Sequence, residues 1–566
     1  MDNNIEEEFN SLQPYFNEGK KYLVGKNKNI KLALENYDSY YLKINKVFID
    51  LKAKIKDNNF EENEKLKNTY IFHLIRLSKI YLLIPYFYKS KIICEKILEI
   101  DKDNIQIIPT YIKCLHHFKE YERITNILNN IKSEDEIIKD LKNKNKERIK
   151  ESKGIYNLNK IYENFKKTYN YNLDLAEYKS NKISFIQDKI KGLIVIANED
   201  ISKGEILIAE KAIEYVPIID KSFKNYVPKE IWHKSLRDKI EEKINYCKED
   251  NPELFEMYDG TNGNISLEQR KENYLKNIFQ NNNLIYPENK ITALFSDCFS
   301  TKIYLYDELS IASGVFCLTS FFSHSCDSNI MILGIGNFIF SIADKNIKKN
   351  EELTTFYIEN DREFIKRQND LFLNYGFKCD CVLCKIEKES FEKYNDVKLQ
   401  IINYINQLID MSVNASNHQM NEYYTKHKEI EDFIEKNKYK IRNFEKGFLY
   451  YNLYFIWSNS KANYNLLVKA LDCFEKETTL NFNTMIYNCL IKMYKMNYIF
   501  NNDKCEEIKN KILIFFRNAF GNKQNEFVES IVDDIIKLNT DENDPDLKLF
   551  AETKLEELKN LGNNEN

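Results

Sequence analysis

Three cysteines lie within six residues of one another: Cys379, Cys381 and Cys384. Unliganded thiolates this close together would repel one another and oxidise, whereas a zinc ion binds them in a closed tetrahedral site. Three sulfurs require a fourth ligand from elsewhere in the chain. Cys326 is the best candidate, with Cys317 and His324 behind it, and the competing interpretation is three unliganded cysteines in a loop.

A second group of reactive side chains precedes these cysteines in a fixed order. Residues 323–326 read Ser-His-Ser-Cys, two apolar strand-like runs follow, and residues 351–357 read Glu-Glu-Leu-Thr-Thr-Phe-Tyr. Phe377 then opens the segment Phe-x-Cys-x-Cys-x-x-Cys. Taken together, this order resembles the signature of SET domains that carry a post-SET zinc loop.

The resemblance is closest to the SET-MYND family, whose members have a helical C-terminal domain and in some cases N-terminal tetratricopeptide repeats. It is strong over residues 180–214 and 291–385 and only architectural elsewhere. It implies one structural zinc site per chain, with four ligands: Cys326, Cys379, Cys381 and Cys384.

The resemblance also implies a site for S-adenosylmethionine. Gly192, next to Lys191, falls on the glycine of the segment that cradles this cofactor through its backbone, where a missing side chain permits close approach. Ser323 and His324 fall on the Asn-His pair that holds the two ends of the cofactor. Phe377 falls on the aromatic residue that packs on the adenine ring.

Tyr357 falls on the catalytic tyrosine of the family, next to the cofactor, which it is also expected to contact. The implied reaction is methyl transfer to the side-chain amine of a lysine in a protein substrate, histone or non-histone. A lysine ammonium, with a reference pKa of about 10.4, must first lose its proton, and burial beside a cationic cofactor lowers that pKa. The phenol oxygen of Tyr357 would then orient the amine and the methyl group.

The sequence departs from the family at a few positions. Ser323 replaces the usual Asn, and Ile190 replaces the first glycine of Gly-x-Gly. Residues 216–290, which we expect to form a helical insertion in the SET domain, offer only Cys247 and His233 as soft metal ligands. We therefore expect no MYND zinc finger. The alternative function is a catalytically weak or inactive SET scaffold that binds protein partners through its helices.

The composition limits the remaining possibilities. The 566 residues include only 14 glycines and 8 prolines, which favours helix, and the net charge is −4 without a segregated basic block. We expect protein partners, no direct nucleic-acid binding, no membrane span, and a monomer. The acidic start and the 12 cysteines predict reduced thiols in the cytoplasm or nucleus.

We predict an α+β fold in which helical arrays flank a β-rich SET domain. Apolar residues recur at helical spacing in the first 150 residues. Within them Phe87 aligns with Tyr121 at an offset of 34 residues, a period that resembles a tetratricopeptide repeat. An ordinary helical bundle is the alternative. The predicted units are an N-terminal helical repeat domain (1–150), the first part of the SET domain (179–215), a helical insertion (216–290), the catalytic part (291–378), a post-SET zinc loop (379–388) and a C-terminal helical repeat domain (389–566).

Overall fold

The computed structural model describes most of the chain outside the insertion. The described residues are 2–23, 28–55, 59–131, 136–168, 172–188, 191–217, 235–236, 238–240, 248–250, 300–302, 310–358, 364–375, 377–413, 420–456, 462–477, 484–499, 504–521 and 524–540. They form an α+β fold in which helices flank a strand-rich centre, as the sequence predicted. Among them, no helix combines the length and the apolar character needed to cross a membrane.

Helices make up the N-terminal part of the described chain. They are α1 (Asp2–Asn10), α2 (Gln13–Lys21), α3 (Ile30–Lys54), α4 (Phe60–Leu83), α5 (Phe87–Ile100), α6 (Ile108–His117), α7 (Tyr121–Asn130), α8 (Glu136–Glu151) and α9 (Leu158–Thr168). Apolar faces of α1 to α8 meet in a core of their own. Helices α5 and α7 begin at the two residues that the 34-residue alignment paired; the repeat interpretation stays a prediction.

Three small sheets form the centre of the molecule. Their strands are β1 (Tyr178–Lys179), β2 (Ile183–Asp188), β3 (Gly192–Ala197), β4 (Ile206–Lys211), β5 (Glu214–Pro217), β6 (Ser300–Lys302), β7 (Ser310–Val315), β8 (Ser323–His324), β9 (Ile330–Ile335), β10 (Phe338–Ala343) and β11 (Glu352–Thr355). The sheet orders are β1-β4-β10-β9, β2-β3-β11-β8 and β5-β7-β6. The predicted strands around residues 183, 192, 205, 330 and 337 are therefore confirmed.

Strand β10 shows why the centre of the molecule is stable. All six of its residues are buried, and alternate side chains point to opposite faces of a sheet. Phe338 and Phe340 join the core that the C-terminal helices share, whereas Ile339 packs with Ala212 and Phe316 on the other side. An apolar run of this kind is typical of a strand that is covered on both faces.

Helices return after the last strand. They are α10 (Phe364–Tyr375), α11 (Val382–Lys393), α12 (Asn395–Val413), α13 (Met420–Lys436), α14 (Asn443–Ile456), α15 (Ala462–Glu475), α16 (Thr484–Ile499), α17 (Cys505–Phe520) and α18 (Asn525–Asn539). The segment predicted as a zinc loop, 379–388, is helical from Val382 onward, so Cys384 lies in the first turn of α11. Helix α10 was not predicted from the sequence.

The predicted insertion lies almost entirely outside the described residues, as do Ile190, His233, Cys247 and the strand predicted at 303–306. One described piece of it, the short turn at 248–250, contacts the N-terminal helices. The carboxylate of Asp250 accepts hydrogen bonds from the backbone N–H groups of Phe87 and Tyr88, both at 2.7 Å. A carboxylate at this point satisfies donors that α5 leaves unpaired at its first turn.

Candidate functional site

Four cysteines that are far apart in the sequence meet at one point of the structure. The sulfur atoms of Cys326, Cys379, Cys381 and Cys384 all lie within 4.8 Å of one another, and those of Cys326 and Cys384 are 3.5 Å apart. A tetrahedral zinc site with Zn–S bonds of about 2.3 Å places its sulfurs about 3.8 Å apart. The donor set and its spacing therefore fit a zinc ion, and Cys326 is the fourth member rather than Cys317.

Neighbouring N–H groups point at the sulfurs of this cluster. Arg367 donates from Nε to Cys326 Sγ at 3.1 Å, and Gln368 donates from Nε2 to Cys384 Sγ at 3.1 Å. Hydrogen bonds from such donors stabilise thiolate more than thiol, which favours metal binding. Within the cluster, the hydrogen bond with Cys326 is the main cause that lowers the pKa of the Cys381 thiol, to about 6, whereas the hydrogen bond with Cys379 is the main cause that raises the pKa of Cys326.

His324 joins this cluster to the candidate cofactor site. Its Nδ1 accepts a hydrogen bond from the backbone N–H of Tyr357 at 3.0 Å, and its Nε2 lies 3.2 Å from Cys326 Sγ. Because Nδ1 is an acceptor, the proton of the neutral ring belongs on Nε2, from which it is donated to the sulfur. His324 is thus a neighbour of the four cysteines and not a member of the cluster.

The segment from Ser323 to Asn329 is held against strand β11. Ser323 and His324 pair with that strand in parallel, and the side chain of Asn329 accepts from the N–H of Thr354 at 2.8 Å. Asn329 is only 4% exposed, and its amide also donates to the carbonyl of Glu352 at 2.9 Å. These bonds fix the candidate cofactor residues relative to Tyr357, which lies just beyond the strand.

Aromatic rings surround Tyr357. Its ring centroid lies 5.3 Å from that of His324, 5.1 Å from that of Tyr375 and 6.4 Å from that of Phe377. Phe377 in turn lies 5.8 Å from His324. Partly buried aromatic faces at these distances can pack against a flat ring such as adenine.

The hydroxyl group of Tyr357 has a defined orientation. It donates to the backbone carbonyl of Phe322 at 2.8 Å, and the Tyr375 hydroxyl donates to the Tyr357 carbonyl at 3.2 Å. With its hydrogen engaged by Phe322, the Tyr357 oxygen presents its lone pairs as acceptors. Such an oxygen can accept a hydrogen bond from an amine.

Glu210 on strand β4 positions the loop that supplies the Phe322 carbonyl. Its carboxylate accepts from the backbone N–H of Leu318 at 2.8 Å and from the N–H and hydroxyl of Thr319 at 3.0 and 2.9 Å. Thr319 begins the turn that runs to Phe322. Burial is the main cause that raises the pKa of Glu210 to about 7, against the lowering effect of these hydrogen bonds.

Gly192 and Lys191 lie at the start of strand β3. Since β3 is antiparallel to β11, with Val195 opposite Leu353, the start of β3 lies toward the Tyr357 end of β11. The ammonium of Lys191 contacts the carboxylate of Glu352 at 2.7 Å, and its backbone N–H donates to Asp188 at 2.8 Å. The predicted cofactor residues are therefore brought to one end of one sheet.

Sequence reasoning missed several residues of this site: Glu210, Asn329, Arg367, Gln368 and Tyr375. Asn329 lies three residues after the Ser-His-Ser-Cys segment, so its position was a usable signal. Glu210 is a carboxylate within an apolar strand, which is unusual enough to notice. Arg367 and Gln368 lie in a helix that gives no sign of contacts with cysteines elsewhere.

Comparison with known proteins identifies one family model and several relatives. The family model described as SET domain matches residues 192–358. A putative SET domain-containing protein of Acanthamoeba polyphaga mimivirus is 26% identical over 236 residues, 40% of this chain and 89% of that protein. A SET and MYND domain-containing protein of Dictyostelium discoideum is 35% identical over 72 residues, 12% of this chain and 21% of that protein.

Two further similarities are with a protein named as a histone-lysine methyltransferase and with a solved structure. Histone-lysine N-methyltransferase SET5 of Yarrowia lipolytica is 30% identical over 89 residues, 15% of this chain and 20% of that protein. This chain thus spans about a fifth of the Dictyostelium and Yarrowia proteins. A solved structure, the SET domain of LSMT bound to lysine and AdoHcy, matches with 12% identity and a TM-score of 0.21, covering 72% of this chain and 95% of that one.

Proposed function

We propose, on the premise that residues 192–358 belong to the SET domain family whose model they match, that this chain transfers a methyl group from S-adenosylmethionine to the side-chain amine of a lysine in a protein substrate. The observation that carries the proposal is the convergence at Tyr357. Its backbone N–H is bonded to His324 and its hydroxyl to Phe322, and the ring of Phe377 lies beside it.

The residues present fit the cofactor. Ser323, His324 and Phe377 would hold it together with the backbone at Lys191 and Gly192, because they offer aromatic faces and peptide groups at the end of one sheet. When bound, S-adenosylmethionine supplies an electrophilic methyl group on a cationic sulfur. Ser323 is shorter than the Asn of the family, so in this proposal the backbone and Phe377 provide more of the affinity.

Tyr357 performs the positioning step. Its hydroxyl hydrogen is held by the Phe322 carbonyl, so its oxygen accepts an N–H of the substrate amine and fixes the direction of the amine lone pair. Positioning of this kind can supply about 7–11 kcal/mol of the barrier. The aromatic rings around Tyr357 limit water at the amine, which favours its neutral form.

The proposed zinc site helps to position Phe377. Cys326, Cys379, Cys381 and Cys384 would hold one structural zinc ion, and Phe377 lies two residues before Cys379. A zinc ion with four thiolates leaves no open position for substrate. We therefore assign the metal a role in folding the segment that carries Phe377.

Tyr357→Phe tests the proposal. The change removes one hydroxyl and little volume, so zinc content and cofactor affinity stay close to wild type while methyl transfer falls by roughly 100-fold or more. Tyr156→Phe is the matched control, because it also removes a tyrosine hydroxyl that donates to a backbone carbonyl, that of Ala176 at 2.6 Å, outside the site. It leaves methyl transfer intact.

Titration calorimetry with S-adenosylmethionine and transfer of tritiated methyl groups to lysate proteins measure both quantities. If the wild-type protein binds no S-adenosylmethionine when the cofactor is near millimolar concentration, the methyltransferase function is refuted and the scaffold alternative is left. A Tyr357→Phe variant as active as Tyr156→Phe refutes only the role of Tyr357.

A further inference from the structure

We infer that a partly buried chain of ion pairs couples the C-terminal helices to the cysteine cluster and controls how firmly that cluster retains zinc. The chain runs from the sulfurs of the cluster through four side chains: Arg367, Glu387, Arg442 and Glu477. The inference rests on the proposed zinc site. It assigns to Arg442 and Glu477, which lie far from the cysteines in the sequence, a role in stabilising the metal site.

Arg367 is the first link. It is 1% exposed, and besides its bond to Cys326 its Nη2 lies 3.8 Å from Cys384 Sγ. Zinc bound by four thiolates carries a double negative charge, and placing such a charge in a protein interior is costly unless it is paired and hydrogen-bonded. A guanidinium that contacts two of the four sulfurs offsets part of this cost.

Glu387 fixes the orientation of Arg367. Its carboxylate pairs with Nη2 of Arg367, and its other oxygen accepts from Nη1 of Arg442 at 2.8 Å. Glu387 lies on α11, the helix whose first turn holds Cys384. A single carboxylate therefore connects the guanidinium at the sulfurs to a second guanidinium in the C-terminal region.

Arg442 and Glu477 complete the chain. Arg442 immediately precedes α14, and its Nη2 lies 3.2 Å from a carboxylate oxygen of Glu477, just after α15. Glu477 also accepts from the backbone N–H of Phe444 at 3.3 Å, which ties it to the start of α14. The relative placement of α14 and α15 thus sets the position of Arg442.

The alternative is that these pairs only hold helices together. A neighbouring pair allows the two explanations to be separated. Lys398 on α12, 4% exposed, binds the carboxylate of Glu445 on α14 at 2.7 and 2.5 Å. This pair also joins α14 to another helix, but no contact of the Lys398 side chain with the cysteine cluster is present among the described residues. The Glu445 carboxylate also accepts from the backbone N–H of Arg442 at 2.9 Å, and Lys398→Gln leaves that carboxylate in place.

The test compares Arg442→Gln with Lys398→Gln in the full-length, zinc-loaded protein. Zinc release to a chromogenic chelator is followed in time, total zinc is measured by mass spectrometry, and thermal melting reports general stability. Loss of groups that orient metal ligands typically costs 10- to 100-fold in metal affinity. We expect zinc release to quicken by about 10-fold in Arg442→Gln and to stay at the wild-type rate in Lys398→Gln.

Glu477→Gln is the second variant, because its amide oxygen can still accept from Phe444 while its charge is lost. It is expected to release zinc faster than Lys398→Gln as well. The inference alone is overturned if Arg442→Gln and Glu477→Gln both release zinc at the wild-type rate. It is also overturned if Lys398→Gln releases zinc as fast as they do. Wild-type protein that binds no zinc overturns the metal site and the inference together.

Discussion

Glu210→Gln should change the pH dependence of the loop that positions Tyr357. Glu210 is 4% exposed, and burial raises its pKa from 4.5 to about 7. Between these two pH values the folded protein keeps the proton while the unfolded chain has lost it. Stability contributed by the protonated carboxyl is therefore present below about pH 4.5 and is lost as pH rises to about 7.

The size of this effect follows from the two pKa values. At 1.36 kcal/mol per pKa unit, the difference corresponds to about 3 kcal/mol of stability lost across that pH range. Glutamine does not titrate, so the variant lacks this loss. However, its NH₂ group must face the N–H of either Leu318 or Thr319, and one unsatisfied buried donor costs about 1–3 kcal/mol.

The two effects oppose each other and only one depends on pH. At pH 5 the variant should hold the turn at Leu318 and Thr319 less firmly than wild type. Between pH 5 and pH 8 the difference should change by roughly 2–3 kcal/mol in favour of the variant. Hydrogen exchange of peptides that cover these amides, corrected for intrinsic exchange rates, measures this local stability without requiring two-state unfolding of the whole chain. An equal difference between variant and wild type at both pH values would refute the reasoning.

Two further predictions concern the metal site and the N-terminal helices. Cys381→Ser should lower the zinc content from one ion per chain and weaken cofactor binding as well, since in the proposal the metal orders the segment around Phe377. The control is Cys473→Ser, which changes a half-buried cysteine outside the cluster. Full zinc content in both variants would contradict the metal site. Deleting residues 1–150 should reduce methyl transfer to a folded substrate more than to a short peptide, whereas equal losses would indicate that these helices only stabilise the rest.

The sequence predicts the ligand chemistry better than the surroundings of the ligands. The short spacing of Cys379, Cys381 and Cys384 predicted that they share a site, and the order of the segments predicted Cys326 as its fourth member. The strands were predictable because these apolar runs are short and are bounded by turn residues. The partners of the cluster were not predictable, because Arg367 reaches it through the packing of α10, and no local pattern records such a contact.

Helix α11 shows the same limit at a boundary. The three cysteines suggested a loop, yet Cys384 lies in the first turn of a helix. A cysteine in a helical turn can offer its sulfur to a metal while its backbone keeps the helical hydrogen bonds, and propensity alone does not distinguish this arrangement from a loop. The boundary of α11 is thus set by contacts that form only in the folded chain.

His324 explains why the two candidate sites form one unit. Its Nε2–H points to Cys326 and its Nδ1 accepts the N–H of Tyr357, so one ring orientation serves both partners. The tautomer with its proton on Nε2 leaves Nδ1 without a proton, and this tautomer alone can accept from Tyr357. In the proposed zinc site, negative charge on the Cys326 sulfur would favour the same tautomer. The metal site would then stabilise the geometry around Tyr357 electrostatically, although it lies outside the reacting groups.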